Sequence, residues 1–209
     1  MVEHVAIVDA DRHEPKHAST ALSGQLLKST GGGATAFNFL TWGEVQNKPT
    51  VTPYVTVLTA QSTALSQQPS AVNTPLKVEF GPTQTTADVT LTSVGNLTFN
   101  TSGSYLITLF FRFGRTTASG DAYLYSRLLI NGTQILNSNG LRLGSQDIVV
   151  PFSASVGVTV TAGQVFTTEI IRDSAGINNG GLIQLTPSLA GWAPAPSATM
   201  VVSKFVGLT

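Results

Sequence analysis

All three histidines of this 209-residue chain, His4, His13 and His17, lie near its start, interleaved with Asp9, Asp11 and Glu14. Imidazole and carboxylate groups are zinc ligands, so a metal site is the first chemistry to consider. His13 and His17 stand four apart and would share one face of a helix, but Pro15 between them disfavours that helix. The cluster reads better as hydrogen bonds and ion pairs to a partner, and no metal is expected. From residue 76 onward there is no histidine, and the chain has no cysteine. A Ser-His-Asp or Cys-His arrangement would therefore need a residue from the N-terminal segment. Glu169 and Asp173 are the closest carboxylates in that part of the sequence, too far apart along a strand for an acid/base couple. Gly31-Gly32-Gly33 is followed by apolar residues and not by the Lys-Ser/Thr of a phosphate loop. The expectation is a non-enzyme without a cofactor.

Composition points the same way. Charged residues make up 11% of the chain, against roughly 25% in an average soluble protein. A surface so poor in charge suits an oligomer or a docked protein better than a dispersed monomer. Eleven basic residues balance eleven acidic ones, which removes long-range attraction to nucleic acid or an anionic membrane. Neither is expected as a partner. The N-terminus is charged where a signal peptide is apolar, and no run reaches the roughly 20 apolar residues of a membrane span. Synthesis in the cytoplasm is expected, so the Asn-x-Ser/Thr triplets at Asn96, Asn100 and Asn131 carry no glycosylation meaning.

Three regions follow from the patterning. Residues 1–49 hold much of the charge and no sustained helical or strand period, the mark of an extended arm that cannot bury enough apolar surface alone. Phe37, Phe39 and Trp42 speak against a merely disordered tail, because aromatic density of that kind calls for a docking surface. Residues 50–75 carry no formal charge and read as a linker or a peripheral strand around 54–60. Residues 76–209 alternate strand signals with turn residues. Strands are expected at 76–80, 88–93, 97–99, 104–113, 121–130, 133–136, 148–152, 155–161, 165–173, 182–187 and 199–206. Asn131-Gly132 is a strong hairpin signal. The fold class is all-β, a jelly-roll β-sandwich of about ten strands with an extended N-terminal arm.

The strand at 104–113 is apolar on both faces. Tyr105, Ile107, Leu109, Phe111 and Phe113 share one face, Leu106, Thr108, Phe110 and Arg112 the other. A sandwich strand normally wets one face, so the second needs a cover, either another subunit or loops of the same chain. Arg112, Arg115, Arg127, Arg142 and Arg172 could pair with carboxylates at an interface. Most of them read as solvated strand-end residues.

Two resemblances add to this. His13-Glu14-Pro15-Lys16 followed by Ala18-Ser19-Thr20 resembles the N-terminal arm of phage head-decoration and head-fibre proteins, and Trp42-Gly43-Glu44-Val45-Gln46-Asn47-Lys48-Pro49 resembles a stretch that recurs in phage fibre proteins. The Gly95–Tyr105 segment, Leu128 to Gly132, Val160 to Gln164 and the ending Ser197 to Phe205 resemble the tumour-necrosis-factor-like globular head. That likeness implies a jelly roll assembling as a tight homotrimer, with Leu106, Phe110, Tyr123, Tyr125 and Phe205 as candidate trimer contacts. The arm likeness implies a virion protein on the outer capsid surface, a decoration or cement protein docked on the major capsid protein through His13, Glu14, Pro15, Lys16, Phe37, Phe39 and Trp42. The alternative is a fibre knob that binds a host receptor or glycan through loops at 116–120, 137–144 and 174–181.

Overall fold

The computed structural model describes residues 25–31, 34–39, 54–62, 66–116, 120–146, 148–177 and 179–206. The chain divides into two compact units, Met1–Thr50 and Val51–Thr209. In the first, β1 (Gln25–Gly31) and β2 (Ala34–Phe39) pair as an antiparallel hairpin, with Gln25 opposite Phe39 and a bulge between Ser29 and Gly31. The expectation of no sustained strand period there is corrected: two short strands pair with each other.

The second unit is a sandwich of two antiparallel sheets. In chain order it contains β3 (Tyr54–Gln61), β4 (Ser66–Gln67), β5 (Leu76–Lys77), β6 (Gln84–Thr85), β7 (Val89–Leu91), β8 (Leu97–Phe99), β9 (Gly103–Gly114), β10 (Ala122–Ile130), β11 (Thr133–Gln134), β12 (Asn139–Leu143), β13 (Val149–Val160), β14 (Val165–Arg172), β15 (Gly181–Ile183) and β16 (Ala198–Phe205). No helix occurs among the described residues. One sheet has eight strands in the order β11-β10-β14-β8-β7-β6, with β12 on β10 and β5 on β14. The other has six, in the order β3-β16-β9-β15-β4 with β13 on β9. Some neighbours are consecutive in sequence, such as β6-β7-β8 and β10-β11, whereas others, such as β8 with β14 and β9 with β16, are far apart, so the chain crosses between the two sheets.

β9 is the central strand of the six-stranded sheet. Its inward set, Tyr105, Ile107, Leu109, Phe111 and Phe113, is at most 2% exposed. It meets Phe80, Leu97, Phe99, Leu124 and Phe166 from the opposite layer in one hydrophobic cluster. Each such side chain contributes about 1.5–3 kcal/mol on burial, so this strand anchors the core.

Several boundaries differ from expectation. The strands expected at 148–152 and 155–161 are one continuous β13, despite Pro151 and Gly157. Among the described residues β13 pairs with β9 alone, and an edge strand tolerates a proline whose missing N–H faces outward. The strand expected at 182–187 stops at Ile183 and leaves a single bridge, Leu185 to Ala195. Residues 139–143, expected as loop, form β12 against β10. β3 is an edge strand paired with β16. The hairpin turn at Asn131-Gly132 is as expected, with φ of 49° and 79°.

Candidate functional site

The two sheets present chemically different outer faces. On the six-stranded sheet, register fixes the outward set. Phe110 stands between Thr199 and Ser153, Thr108 between Val201 and Ser155, and Leu106 between Ser203 and Gly157. β3 extends the row with Thr59 beside Val201 and Gln61 beside Thr199. Arg112 is the one charged residue in this outward set, and its guanidinium donates to the Pro196 carbonyl.

The hydroxyls on this face satisfy one another across strands. Ser104 pairs with Thr159 at 3.0 Å, Thr108 with Ser155 at 3.0 Å and Thr56 with Ser203 at 3.3 Å. Such pairs lower the cost of removing the face from water, because each oxygen keeps a partner. Phe110 is 49% exposed, so among the described residues no loop of the same chain covers it. At the lower edge Tyr54 and Phe205 pack with ring centroids 3.9 Å apart. Near Phe110 the face dips into a groove of about 460 Å³ walled by Pro151, Phe152, Pro196 and Arg112, with Gln61, Ser153 and Thr199 on its rim.

The eight-stranded sheet carries two ion pairs. Arg127 lies 2.6 Å from Glu169, and Arg142 lies 2.7 Å from Asp121. Lys77 donates to Asn96 at 2.8 Å. Tyr125 lies across Gly140, where an added Cβ would come within 2.6 Å of the ring. A pocket of about 270 Å³ gathers Tyr125, Arg127, Glu169, Gln134, Ser138 and Asn73 on this face.

The five candidate trimer contacts therefore separate. Leu106, Phe110 and Phe205 share the outer face of the six-stranded sheet, whereas Tyr123 and Tyr125 belong to β10 of the other sheet. β9 and β10 follow each other in sequence but cross between layers. Of the arm candidates, Phe37 and Phe39 are in β2, opposite Leu27 and Gln25, and Phe39 is exposed. His13, Glu14, Pro15, Lys16 and Trp42 lie outside the described residues, as do His4 and His17. No protein-family model matches the chain, and no curated protein is similar to it at a significant level.

Two arginines of the sandwich are buried and one lysine is half-buried. Arg115 is fully buried and donates to the carbonyls of Gly120, at 2.9 Å, and Gly144. Arg172 is buried too and donates to the Pro69 carbonyl, and burial lowers its pKa. The reading of most of the five arginines as solvated strand-end residues does not extend to these two, whereas Arg142 is exposed. Lys204 follows Ala198, Met200 and Val202 on the inward register of β16 and meets Asp88 at 2.6 Å. That alternation was the available signal: a lysine in an inward row must have a partner. Among the described residues no group of three His, Asp or Glu side chains converges as a metal site.

Proposed function

We propose that this chain is a structural virion protein that works as a homotrimer, a capsid decoration or cement protein of a phage head docked through its N-terminal segment. The observation that carries this reading is the outer face of the six-stranded sheet, which holds Arg112 as its one charged residue and has Phe110 half exposed at its centre. An antiparallel sheet that faces water on one side normally alternates apolar and polar residues. This one alternates apolar with Leu, Phe, Val and mutually bonded hydroxyls. Burying such a face against a second copy gains about 25 cal/mol per Å² of apolar area and strips few charges of water. The resemblance of the arm to phage head proteins supplies the capsid as the second partner, through Phe37, Phe39 and Trp42 and the His13 to Lys16 stretch.

Sedimentation of the full chain tests the first half. A trimer is expected, and a chain that stays monomeric at tens of micromolar overturns the assembly. Deletion of residues 1–49 tests the second half: the truncated protein should remain trimeric and lose capsid binding, and retention of binding refutes docking by the arm.

The pocket around Tyr125, Arg127 and Glu169 favours a second reading, a knob that binds a host receptor glycan. An aromatic ring beside amide, guanidinium and carboxylate groups offers a stacking platform and directional hydrogen bonds to a sugar. Loss of cell or glycan binding on Tyr125→Ala would support that role; unchanged binding removes it from this pocket.

A further inference from the structure

The segment between β15 and β16 exposes more apolar surface than any function considered so far uses. Leu185 is 42% exposed, Leu189 63% and Trp192 68%. No charged residue occurs between Asp173 and Lys204. The loop is nevertheless built rather than frayed. Leu185 and Ala195 exchange two backbone hydrogen bonds at its neck, of 3.2 and 2.8 Å, and Trp192 N–H reaches the Leu189 carbonyl at the tip. Pro187, Pro194 and Pro196 stiffen both limbs. A rigid tip that holds a tryptophan in water has the character of an interaction anchor.

The groove beside Phe110 has complementary chemistry. Phe110, Phe152 and Pro151 offer apolar and aromatic walls, and Arg112 places a guanidinium where an indole face could stack beneath it. Gln61, Ser153 and Thr199 present oxygen acceptors at the rim for an indole N–H, which needs a partner when buried. Trp192 does not fill this groove within its own chain, being exposed.

We propose that Trp192 of one copy seats in the Phe110 groove of the next, knob into hole, in a closed ring. This rests on the self-association proposed above and names the contact that closes it. Knob and groove are different surfaces of one chain, so the contact is head-to-tail, and a closed ring leaves no knob or groove unfilled. A lipid surface is the less favoured occupant: the loop has no lysine or arginine to draw it to anionic headgroups, as interfacial segments commonly do.

The test uses the full chain with Trp42→Phe, which leaves Trp192 as its single tryptophan. Emission and acrylamide quenching are followed across a concentration series whose oligomeric state is set by sedimentation. In the oligomer, Trp192 should be blue-shifted and shielded, becoming accessible on dissociation. Trp192→Ala should raise the half-dissociation concentration by about tenfold or more with an unaltered circular dichroism spectrum. Ser153→Arg, which fills the groove from the other side, should leave Trp192 accessible. An oligomer whose Trp192 stays fully quenchable overturns the knob and leaves the self-association standing, whereas a persistent monomer overturns both. A blue shift that appears only with neutral phosphatidylcholine vesicles assigns the loop to lipid and overturns the proposal.

Discussion

Lys204 Nζ lies 2.6 Å from Asp88 Oδ1, joining the last strand of the six-stranded sheet to the residue that precedes β7 in the other sheet. Thr101 completes the clasp. Its hydroxyl donates to Asp88 at 2.7 Å, receives Lys204 Nζ at 2.8 Å and lies 2.8 Å from the Tyr105 hydroxyl. The ammonium also sits 5.7 Å from the centre of the Tyr105 ring.

This clasp predicts a pH dependence. Hydrogen bonding from Lys204 and then Thr101 lowers the Asp88 pKa, and the bond to Asp88 raises that of Lys204. For a depressed carboxyl, the stabilisation is present above the unfolded pKa of about 3.9 and is lost as pH falls through the folded value. For a raised lysine, it is present below about 10.4 and is lost as pH rises through the folded value. Asp88→Ala should cost about 1–3 kcal/mol in urea denaturation at neutral pH. The gap to wild type should narrow in acid; a gap independent of pH down to acid would refute the clasp.

Phe110 and Phe111 are neighbours with opposite fates. Phe110→Asp should leave the unfolding transition within about 0.5 kcal/mol of a monomeric reference while shifting sedimentation from oligomer to monomer. Phe111→Asp places a carboxylate in the core and should cost about 4 kcal/mol or more, which circular dichroism reads as loss of fold. Equal effects of the two would invalidate the face assignment.

Arg115 should behave as a structural group. Arg115→Met removes the donor to the Gly120 and Gly144 carbonyls and should cost about 2–4 kcal/mol. Amide exchange near Gly120 and Gly144 should speed up more than in β9. Arg115→Lys cannot span both carbonyls in the same fork and should recover only part of the loss.

Two glycines with similar backbone angles separate strain from crowding. Gly95 has φ +78° and an added Cβ would lie 2.0 Å from the Val78 carbonyl oxygen, whereas Gly163 has φ +89° and open space around it. Gly163→Ala should cost about 1–2 kcal/mol, the left-handed penalty alone. Gly95→Ala should cost clearly more, because backbone must move. Denaturation midpoints of the two variants decide the matter.

What the sequence disclosed of the fold was whatever a local pattern controls. The alternation along 104–113 located the buried row of β9, and Asn131-Gly132 located a hairpin. β12 escaped because Asn139 to Leu143 has little strand character of its own and is held by pairing with Ala122 to Ser126. In β13, Pro151 and Gly157 resemble breaks, which an edge position tolerates. The candidate site was half legible. Leu106, Phe110 and Phe205 do share a face, but parity along a strand cannot say to which sheet a strand belongs, and Tyr123 and Tyr125 lie on the other sheet. Exposure of Trp192 was invisible because a tryptophan among prolines and alanines reads equally well as core.

The pairing of Tyr54 with Phe205 at the start of β3 has a mechanical consequence. β3 is an edge strand held to β16 through seven register pairs, from Tyr54–Phe205 to Gln61–Thr199. Any tension transmitted from the preceding segment enters the sandwich at Tyr54. A pull along the strand axis loads the seven pairs together in shear, while a pull across the sheet opens them one at a time from the Tyr54 end. The rupture force of this junction therefore depends on the direction of the load, and an attachment aligned with β3 holds far harder than one that peels it.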